Sequence, residues 1–166
     1  MSIITQTHRI IIREFLFDEL ETYLNHFTDE RVILHLPKRS TQERTTIFKN
    51  ALSQYLVSRS TGIWGMFDKS NHEFMGSCLL RSFDEEPGAI ELGYSMEYKY
   101  WGQGMGTEMA KAMVEHGFEG TSVPSIVGIT TMNNIASQKV LEKAGFMRDG
   151  NMVRADEQLA LFRIYR

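Results

Sequence analysis

The chain has 166 residues, of which 42% are hydrophobic and 23% are charged, and its net charge is −3. This size and composition predict one folded domain, residues 1–166, with a sizeable core. The charge gives no general attraction to nucleic acid or to an anionic membrane, and no apolar stretch approaches the roughly 20 residues of a membrane span.

The cysteine and histidine content narrows the class further. The single cysteine, Cys78, excludes an intrachain disulfide and a cysteine metal cluster, and its apolar surroundings predict a buried side chain rather than a nucleophile. His26, His35, His72 and His116 show no metal-ligand spacing and are expected at surface or helix positions. The N-terminus lacks the layout of a secretory signal. We therefore expect a cytoplasmic protein with no metal, nucleic-acid or membrane partner.

The first part of the chain predicts one strand and two helices. Residues 8–15 are rich in β-branched side chains and predict a strand. Leucines and aromatic residues then recur at helical spacing over residues 20–27. Ser40 and Glu43 form a capping box that begins a second helix. Its predicted apolar face consists of Ile47, Phe48, Ala51, Leu52, Tyr55 and Leu56.

Three more strands follow these helices. Residues 62–67 and 73–83 predict strands joined by a turn at residues 68–71, which makes an antiparallel hairpin. After a turn at residues 84–88, residues 89–96 predict the next strand. Together with the strand near the N-terminus, they predict a four-stranded meander.

The second half alternates between helices and strands. Apolar residues at helical spacing from Met109 predict a helix that ends near Gly117, and residues 125–131 predict a buried strand. A helix over residues 134–144, stopped by Gly145, is expected to face inward through Ile135, Ala136, Val140 and Leu141. Residues 146–153 and 158–165 predict two closing strands. Strand–helix–strand alternation implies a parallel crossover, so the fold class is α+β, a mixed and largely antiparallel sheet with helices on both faces.

The most distinctive segment joins the strand over residues 89–96 to the next helix. It places Gly102, Gly104 and Gly106 at alternate positions, so that the main chain can approach a ligand closely. Free N–H groups and the partial charge of a helix N-terminus suit a pyrophosphate, and a plain tight turn is the alternative. The dinucleotide motif G-x-G-x-x-G does not fit, because the spacing here is G-x-G-x-G, and a P-loop does not fit, because Gly106 is followed by Thr107 and Glu108.

This segment resembles the GNAT family of acyl-coenzyme-A-dependent N-acetyltransferases, as do Asn134-x-x-Ser137 and Gly145-Phe146 downstream. The form aromatic-Trp-Gly-x-Gly-x-Gly-Thr-Glu is typical of the branch that resembles ribosomal-protein N-terminal acetyltransferases. Trp101 stands where many members have Gln or Arg. The resemblance covers nearly the whole chain. It implies a GNAT-like fold and direct transfer of acetyl from acetyl-coenzyme A to a primary amine in a ternary complex.

The resemblance also implies which residues hold the cofactor, in a gap between the strands over residues 89–96 and 125–131. The pyrophosphate would lie on the glycine turn, formed by Gln103, Gly104, Met105, Gly106 and Thr107. Backbone groups at the end of the preceding strand would pair with the pantetheine arm, at Tyr94, Ser95 and Met96. Asn134 would contact the same arm. A helix N-cap is its alternative role, and both roles can hold together.

Two residues are candidates for proton transfer. Family members often place a glutamate at the position of Glu91, where it acts as a base for the amine. The alternative is that Glu91 is an ordinary polar residue whose side chain faces solvent or pairs with an arginine. Ser137 is the candidate acid that protonates the leaving thiolate, and its alternative is a role in helix capping or packing. Many members carry a tyrosine for this task where this chain has Leu141. A non-catalytic acyl-coenzyme-A-binding module is therefore the alternative function.

The acceptor amine is not identified by the sequence. Candidates are a protein N-terminus, a free amino acid, a polyamine and an amine antibiotic, and the branch resemblance favours a protein or peptide α-amine. The acidic run Asp84-Glu85-Glu86 is most simply a solvated loop, and steering of a cationic amine is its alternative role. A homodimer is a further candidate partner, since family members often dimerise.

Overall fold

A computed structural model describes residues 1–166, which form one eight-stranded sheet in the order β1-β2-β3-β4-β5-β6-β8-β7. The strands are β1 (Ile3–Gln6), β2 (Ile10–Arg13), β3 (Gly62–Asp68), β4 (Phe74–Ser82), β5 (Ala89–Met96), β6 (Ser125–Thr131), β7 (Met147–Arg154) and β8 (Glu157–Tyr165). The helices are α1 (Leu20–His26), α2 (Glu30–Ile33), α3 (Thr41–Gln54), α4 (Met105–Gly120) and α5 (Ile135–Lys143). None of them is long and apolar enough to cross a membrane.

The sheet confirms the predicted α+β class. Strands β1 to β5 form an antiparallel meander, and β7 and β8 are antiparallel as well. Only β5 and β6 run parallel, and the crossover between them contains α4. The predicted hairpin of β3 and β4 is therefore present, and β6 has the predicted bounds.

Helices cover both faces of the sheet, as predicted. Side chains alternate along β3, so that Trp64 packs into the large core with α4 and α5, while Ile63 packs against α1 and α3. Along β5 the same alternation sends Leu92 and Tyr94 toward the α4 and α5 face. Cys78 is buried in that core, as its apolar surroundings predict.

The strand predicted over residues 8–15 is shorter than expected. It is limited to Ile10–Arg13, and sequence analysis missed the preceding strand Ile3–Gln6 that pairs with it. A four-residue strand at the sheet edge has too few alternating positions for its periodicity to stand out. The one-turn helix Glu30–Ile33, capped by the Asp29 carboxylate, was missed for the same reason.

Two helix faces differ from their prediction. The Ser40–Glu43 capping box is confirmed, but α3 ends at Gln54, so Leu56 lies beyond it and is 91% exposed. In α5 only Val140 and Leu141 turn toward the core, whereas Ile135 is 55% exposed and Ala136 is exposed as well. These residues occupy the first turn of α5, next to the capping residue and away from the packed end.

Candidate active site

Strands β5 and β6 separate part-way along their length. They pair from Ala89 opposite Ser125 to Leu92 opposite Gly128, and the pairing then stops. Strand β5 nevertheless continues to Met96 and stays paired with β4 on its other side. One edge of the last four residues of β5 is therefore left open, as the predicted gap between these strands requires. An open edge with unpaired backbone groups can accept an extended ligand in the manner of an added strand.

The glycine turn leads directly into α4. Gly102 and Gly104 have φ of 72° and 77°, in the left-handed region that favours glycine, and Gly104 precedes the first residue of α4. Gly106 has a different role. A Cβ there would lie 3.1 Å from Cγ2 of Val140, so this glycine lets α4 approach α5 closely. Two of the three glycines thus shape the turn, and the third permits helix packing.

The N-terminus of α4 carries unpaired N–H groups. No side chain caps it, and the first helical hydrogen bond is donated by Glu108 to the Gly104 carbonyl. The three N–H groups of residues 105–107 therefore have no partner in the helix, beside the turn that carries Gln103. Helix α4 has 16 residues, and its partial charge adds to these donors. Donors of this kind suit the pyrophosphate site that the glycine pattern predicts.

Arg9 fixes the turn in place. Its Nη1 donates to the Gln103 carbonyl at 3.0 Å, and its Nε donates to Glu108 Oε2 at 2.8 Å. The Gln103 side chain donates to the Lys99 carbonyl at 2.7 Å. Trp101 donates its indole N–H to the Met96 carbonyl at 2.7 Å, which leaves Tyr94 and Ser95 as the freer pairing positions.

Ser137 lies on the other side of the gap. Its N–H donates to Oδ1 of Asn134 at 3.1 Å, so Asn134 is the N-cap of α5. Its hydroxyl lies 2.7 Å from the Tyr94 phenol, and burial raises the pKa of Tyr94 to about 12. Leu141 is buried against Gly128, where it fills the core and contributes no hydroxyl. The tyrosine that approaches Ser137 comes from β5, and helix spacing alone does not reveal it.

A cavity of about 660 Å³ lies on the face of the sheet that carries α1 and α3. Its walls come from α1, α3, the segment before α3, strands β4 to β6 and the hairpin of β7 and β8. Glu91, Gly93 and Ser95 line it side by side, as the strand alternation predicts. The cavity reaches the open edge of β5 and is large enough for a small acceptor.

Glu91 faces this cavity between two arginines. Its carboxylate accepts from Arg81 Nη2 at 2.9 Å and from Arg154 Nη2 at 3.0 Å, and the residue is 7% exposed. Arg154 also binds Glu85, so the acidic turn is tied to the hairpin of β7 and β8. Glu86 is tied in the same way to Arg163. The acidic run is exposed, as the interpretation as a solvated loop predicts, and Glu85 and Glu86 are in addition anchored by ion pairs.

His26 lies in α1, one of its two expected positions, but it is buried rather than at the surface. It is 2% exposed, and its Nε2 lies 2.8 Å from Oγ of Ser95, at the open edge of β5. Its Nδ1 has no hydrogen-bond partner and lies 3.9 Å from a Glu97 carboxylate oxygen. Burial, with the nearby charge of Arg44, lowers the pKa of His26 to about 4. In the sequence, the burial of His26 is indicated only by its helical spacing with Tyr23 and Phe27, which places the three side chains on one helix face.

The buried His26 predicts acid sensitivity of the fold. Since its pKa is about 4 in the folded protein and about 6.5 when unfolded, the unfolded chain binds the extra proton between these values. The contribution of His26 to the free energy of unfolding is therefore fully present above about pH 6.5, and about 3 kcal/mol of it is lost as the pH falls toward 4. Denaturant unfolding of the parent and His26→Gln across this range measures it. A variant with the same acid slope as the parent would contradict the assignment.

Comparisons with known proteins identify the family and the fold. The family model described as "Acetyltransferase (GNAT) domain" matches residues 9–147. The curated relative "Uncharacterized N-acetyltransferase p20" of Bacillus licheniformis is 20% identical over 147 residues, which cover 87% of this chain and 82% of that protein. The structural matches below have lower identity, and they show likeness of fold.

Two solved structures illustrate that likeness. The RimL ribosomal L7/L12 alpha-N-protein acetyltransferase in complex with coenzyme A has a TM-score of 0.81 at 17% identity, and the match covers 99% of this chain and 98% of that chain. The ribosomal-protein-S5-alanine acetyltransferase from Vibrio fischeri has a TM-score of 0.80 at 19% identity, with coverage of 97% and 95%. The fold is therefore shared over almost the whole of each chain.

Proposed function

The chain belongs to the GNAT family of acyl-coenzyme-A-dependent acetyltransferases, and we propose that it transfers acetyl from acetyl-coenzyme A to a primary amine by direct attack in a ternary complex. One observation carries this proposal. The open edge of β5 begins beside the cavity that Glu91 lines, and the chain continues from the end of β5 through the glycine turn to the unpaired N–H groups of α4. A cofactor held along that edge therefore has its anionic part at α4 and its reactive end at the cavity. Residues 1–166 supply this site as one unit.

Residues of the turn and of β5 would hold the cofactor. The N–H groups of residues 105–107, together with the backbone of Gln103 and Gly104, supply donors for a pyrophosphate. Backbone groups of Tyr94 and Ser95 on the open edge supply the pairing positions for the pantetheine arm. The Asn134 amide nitrogen is free to join them, because only its oxygen is used as the cap. Acetyl-coenzyme A supplies an activated acetyl group there, and this chemistry requires no metal.

Glu91 is the proposed acceptor of the amine proton, through a water molecule. Arg81 and Arg154 hold its carboxylate at the cavity wall, two positions before Gly93 on the strand that leads to the open edge. A positioned carboxylate assists attack because an ammonium group must lose its proton before its nitrogen can bond to carbon. The Ser95 hydroxyl and His26 provide a second proton route from the same cavity. Variants at Glu91 and His26 distinguish the two routes.

Ser137 is the proposed proton donor to the leaving thiolate. Its hydroxyl is hydrogen-bonded to the Tyr94 phenol, which stays protonated because burial raises its pKa to about 12. When Ser137 gives its proton to the thiolate, the Tyr94 phenol donates a hydrogen bond to the oxygen left behind, and solvent returns the proton to Ser137 after the products leave. Together the two hydroxyl groups supply the proton donor that the buried Leu141 does not provide.

The hydroxyl pair predicts coupled losses of rate. We expect Ser137→Ala and Tyr94→Phe each to lower kcat about tenfold, less than typical acid–base catalysis because coenzyme A thiolate needs little help. The KM for acetyl-coenzyme A should stay unchanged. Because the two groups act in series, the double variant should lose little more than either single variant. Steady-state kinetics measure this, and losses that multiply in the double variant would show that the hydroxyl groups act independently.

A non-catalytic acyl-coenzyme-A-binding module is the second candidate function. It is favoured by Leu141, whose buried side chain cannot replace the tyrosine that many family members use. The two functions differ in turnover. A binding module leaves acetyl-coenzyme A intact, whereas the proposed enzyme releases thiol only when an acceptor amine is present.

Thiol release and mass spectrometry test the proposed function. We expect an amine panel to contain at least one acceptor that gains an acetyl group in equal amount to the thiol released. With acetyl-coenzyme A alone, the intact protein should carry no acetyl adduct, because the attack is direct. An acetyl adduct would contradict direct transfer, and acetyl-coenzyme A binding without thiol release from any amine would favour the binding module.

A further inference from the structure

Two arginines in this chain are buried, and they differ in their partners. Arg163 is bound by the carboxylates of Glu86 and Asp149. Arg44, near the start of α3, is 8% exposed, yet its guanidinium has neither an ion-pair nor a hydrogen-bond partner. It lies over the Phe27 ring at 3.8 Å, and burial lowers its pKa from the usual value. A cation–π contact compensates part of the lost hydration and leaves the N–H donors unused.

The free donors of Arg44 belong to the cavity wall. Arg44, Arg39 and Tyr23 all line the cavity, and the Tyr23 phenol likewise has no hydrogen-bond partner. Burial raises the pKa of Tyr23, so its hydroxyl remains a donor. The charge of Glu43 is nearby, but its carboxylate is used in the capping box with Ser40. One wall of the cavity therefore presents two guanidinium groups and a phenol that are not paired with any carboxylate of the chain.

This cationic wall is close to the proposed reaction centre. The charge of Arg44 is near enough to His26 to help lower its pKa, and His26 is hydrogen-bonded to Ser95 at the open edge of β5. Four carboxylates line the cavity on the side of the sheet. Asp84 and Glu85 belong to the β4–β5 turn, Glu91 belongs to β5, and Glu157 belongs to β8. Two of these, Glu85 and Glu91, are already bound by arginines. Arg81 and Arg154 line the sheet side as well, but both are paired with these glutamates. The guanidinium groups without a carboxylate partner therefore lie on the helical side, and the carboxylates without an arginine partner, Asp84 and Glu157, lie on the sheet side.

We infer that the acceptor is an amine that also carries a carboxylate, which binds Arg44, Tyr23 and Arg39 while the amine faces β5. This inference rests on the proposed function and names the acceptor class. The guanidinium nitrogens of Arg44 are accessible from the cavity and have no carboxylate partner in the chain, so a bound carboxylate would complete the pairing. Guanidinium groups match carboxylates in a two-bonded geometry. A polyamine brings only further positive charge and is disfavoured at this wall.

Matched acceptors test the inference. Each free amino acid is compared with its carboxamide and its decarboxylated amine, with acetyl-coenzyme A as donor and released thiol as readout. We expect the carboxylate form to have a kcat/KM about 30-fold higher than that of the carboxamide, mainly through KM, as charged hydrogen bonds of this kind predict. Amidated peptides that begin with Asp or Glu are the second arm. They show whether the carboxylate belongs to a free amino acid or to an N-terminal side chain.

Variants of Arg44 link the preference to this wall. Arg44→Gln should remove the 30-fold advantage of the carboxylate form and leave the carboxamide unchanged, and Arg44→Lys should restore part of it. Lys49→Gln removes a cation from the exposed side of the same helix and should change nothing. Arg44→Gln also removes the contact with the Phe27 ring, so we expect a small loss of melting temperature, and the acceptors are compared at a temperature where both proteins are folded. Equal use of all three acceptor forms, or a preference that survives in Arg44→Gln, would overturn the inference.

Calorimetry separates this inference from the proposed function. N-acetylated amino acids and their amides are titrated into the protein with coenzyme A present. Tighter binding of the carboxylate form to the parent than to Arg44→Gln supports the anion site even without turnover. Equal binding of both forms to both proteins would overturn the site. A protein that neither binds acetyl-coenzyme A nor releases thiol contradicts the proposed function instead.

Discussion

Gly104→Val is expected to weaken acetyl-coenzyme A binding at least a hundredfold. Gly104 has φ of 77°, where a valine is strained by about 1–2 kcal/mol, so the turn relaxes to another conformation. The added Cβ meets only Arg9 Nη2 at 3.6 Å, an ordinary contact, so crowding within the protein is not the cause. The loss comes from strain and from misplaced N–H donors, each worth about 1.5–3 kcal/mol toward a charged ligand. Titration calorimetry measures it.

Gly150→Val is the matched control for this prediction. Gly150 also has a positive φ, of 86°, and a Cβ there meets nothing within 4 Å, but it lies in β7 outside the glycine turn. The two variants should lose similar stability, and only Gly104→Val should lose cofactor affinity. Unchanged affinity in a folded Gly104→Val protein would contradict a pyrophosphate site at this turn.

Glu91→Gln is expected to lower turnover about a hundredfold at about pH 7, the lower end of the range for a general base. The loss of turnover should be smaller near pH 9, because most of the α-amine is then already deprotonated in solution and needs no base. Glutamine keeps the shape of the side chain, so acetyl-coenzyme A affinity should remain. The readout is kcat/KM for the amine across this pH range, measured for the parent and the variant.

Glu86→Gln is the matched control, since Glu86 is also held by an arginine, Arg163, but does not line the cavity. It should leave the pH profile unchanged. A loss in Glu91→Gln that is the same at all pH values would remove Glu91 as the base. A pH-dependent loss in His26→Gln, with none in Glu91→Gln, would assign the proton to the route through Ser95 and His26.

Most of the fold follows from local pattern. Capping and apolar spacing around Ser40 predict α3, the strand patterns of β2 to β5 predict the meander, and the strand–helix–strand order from β5 to β6 predicts the parallel crossover. The glycine turn is equally local, because φ near 75° at Gly102 and Gly104 requires glycine in the sequence itself. What the pattern missed is short or terminal. Strand β1 and helix α2 are too brief for their periodicity to be recognised, and the first turn of α5 leaves Ile135 exposed.

The site depends on pairs that are distant in the sequence. His26 meets Ser95, and Tyr94 meets Ser137, only because α1 and α5 pack on opposite faces of β5. The lack of a partner for Arg44 is likewise a property of the folded cavity, since Glu43 next to it in the sequence is used as a cap. The assignments of Glu91 and Ser137 to proton transfer, and the homodimer, remain predictions.

The most direct measurement is a calorimetric titration of the purified protein with acetyl-coenzyme A, with NADH and ATP as controls. The central claim is that the open edge of β5 and the N-terminus of α4 form a site for acyl-coenzyme A. Selective binding of acetyl-coenzyme A, lost in Gly104→Val and kept in Gly150→Val, is the predicted result. A folded protein that binds no acetyl-coenzyme A, or that binds all three ligands equally, would contradict the account.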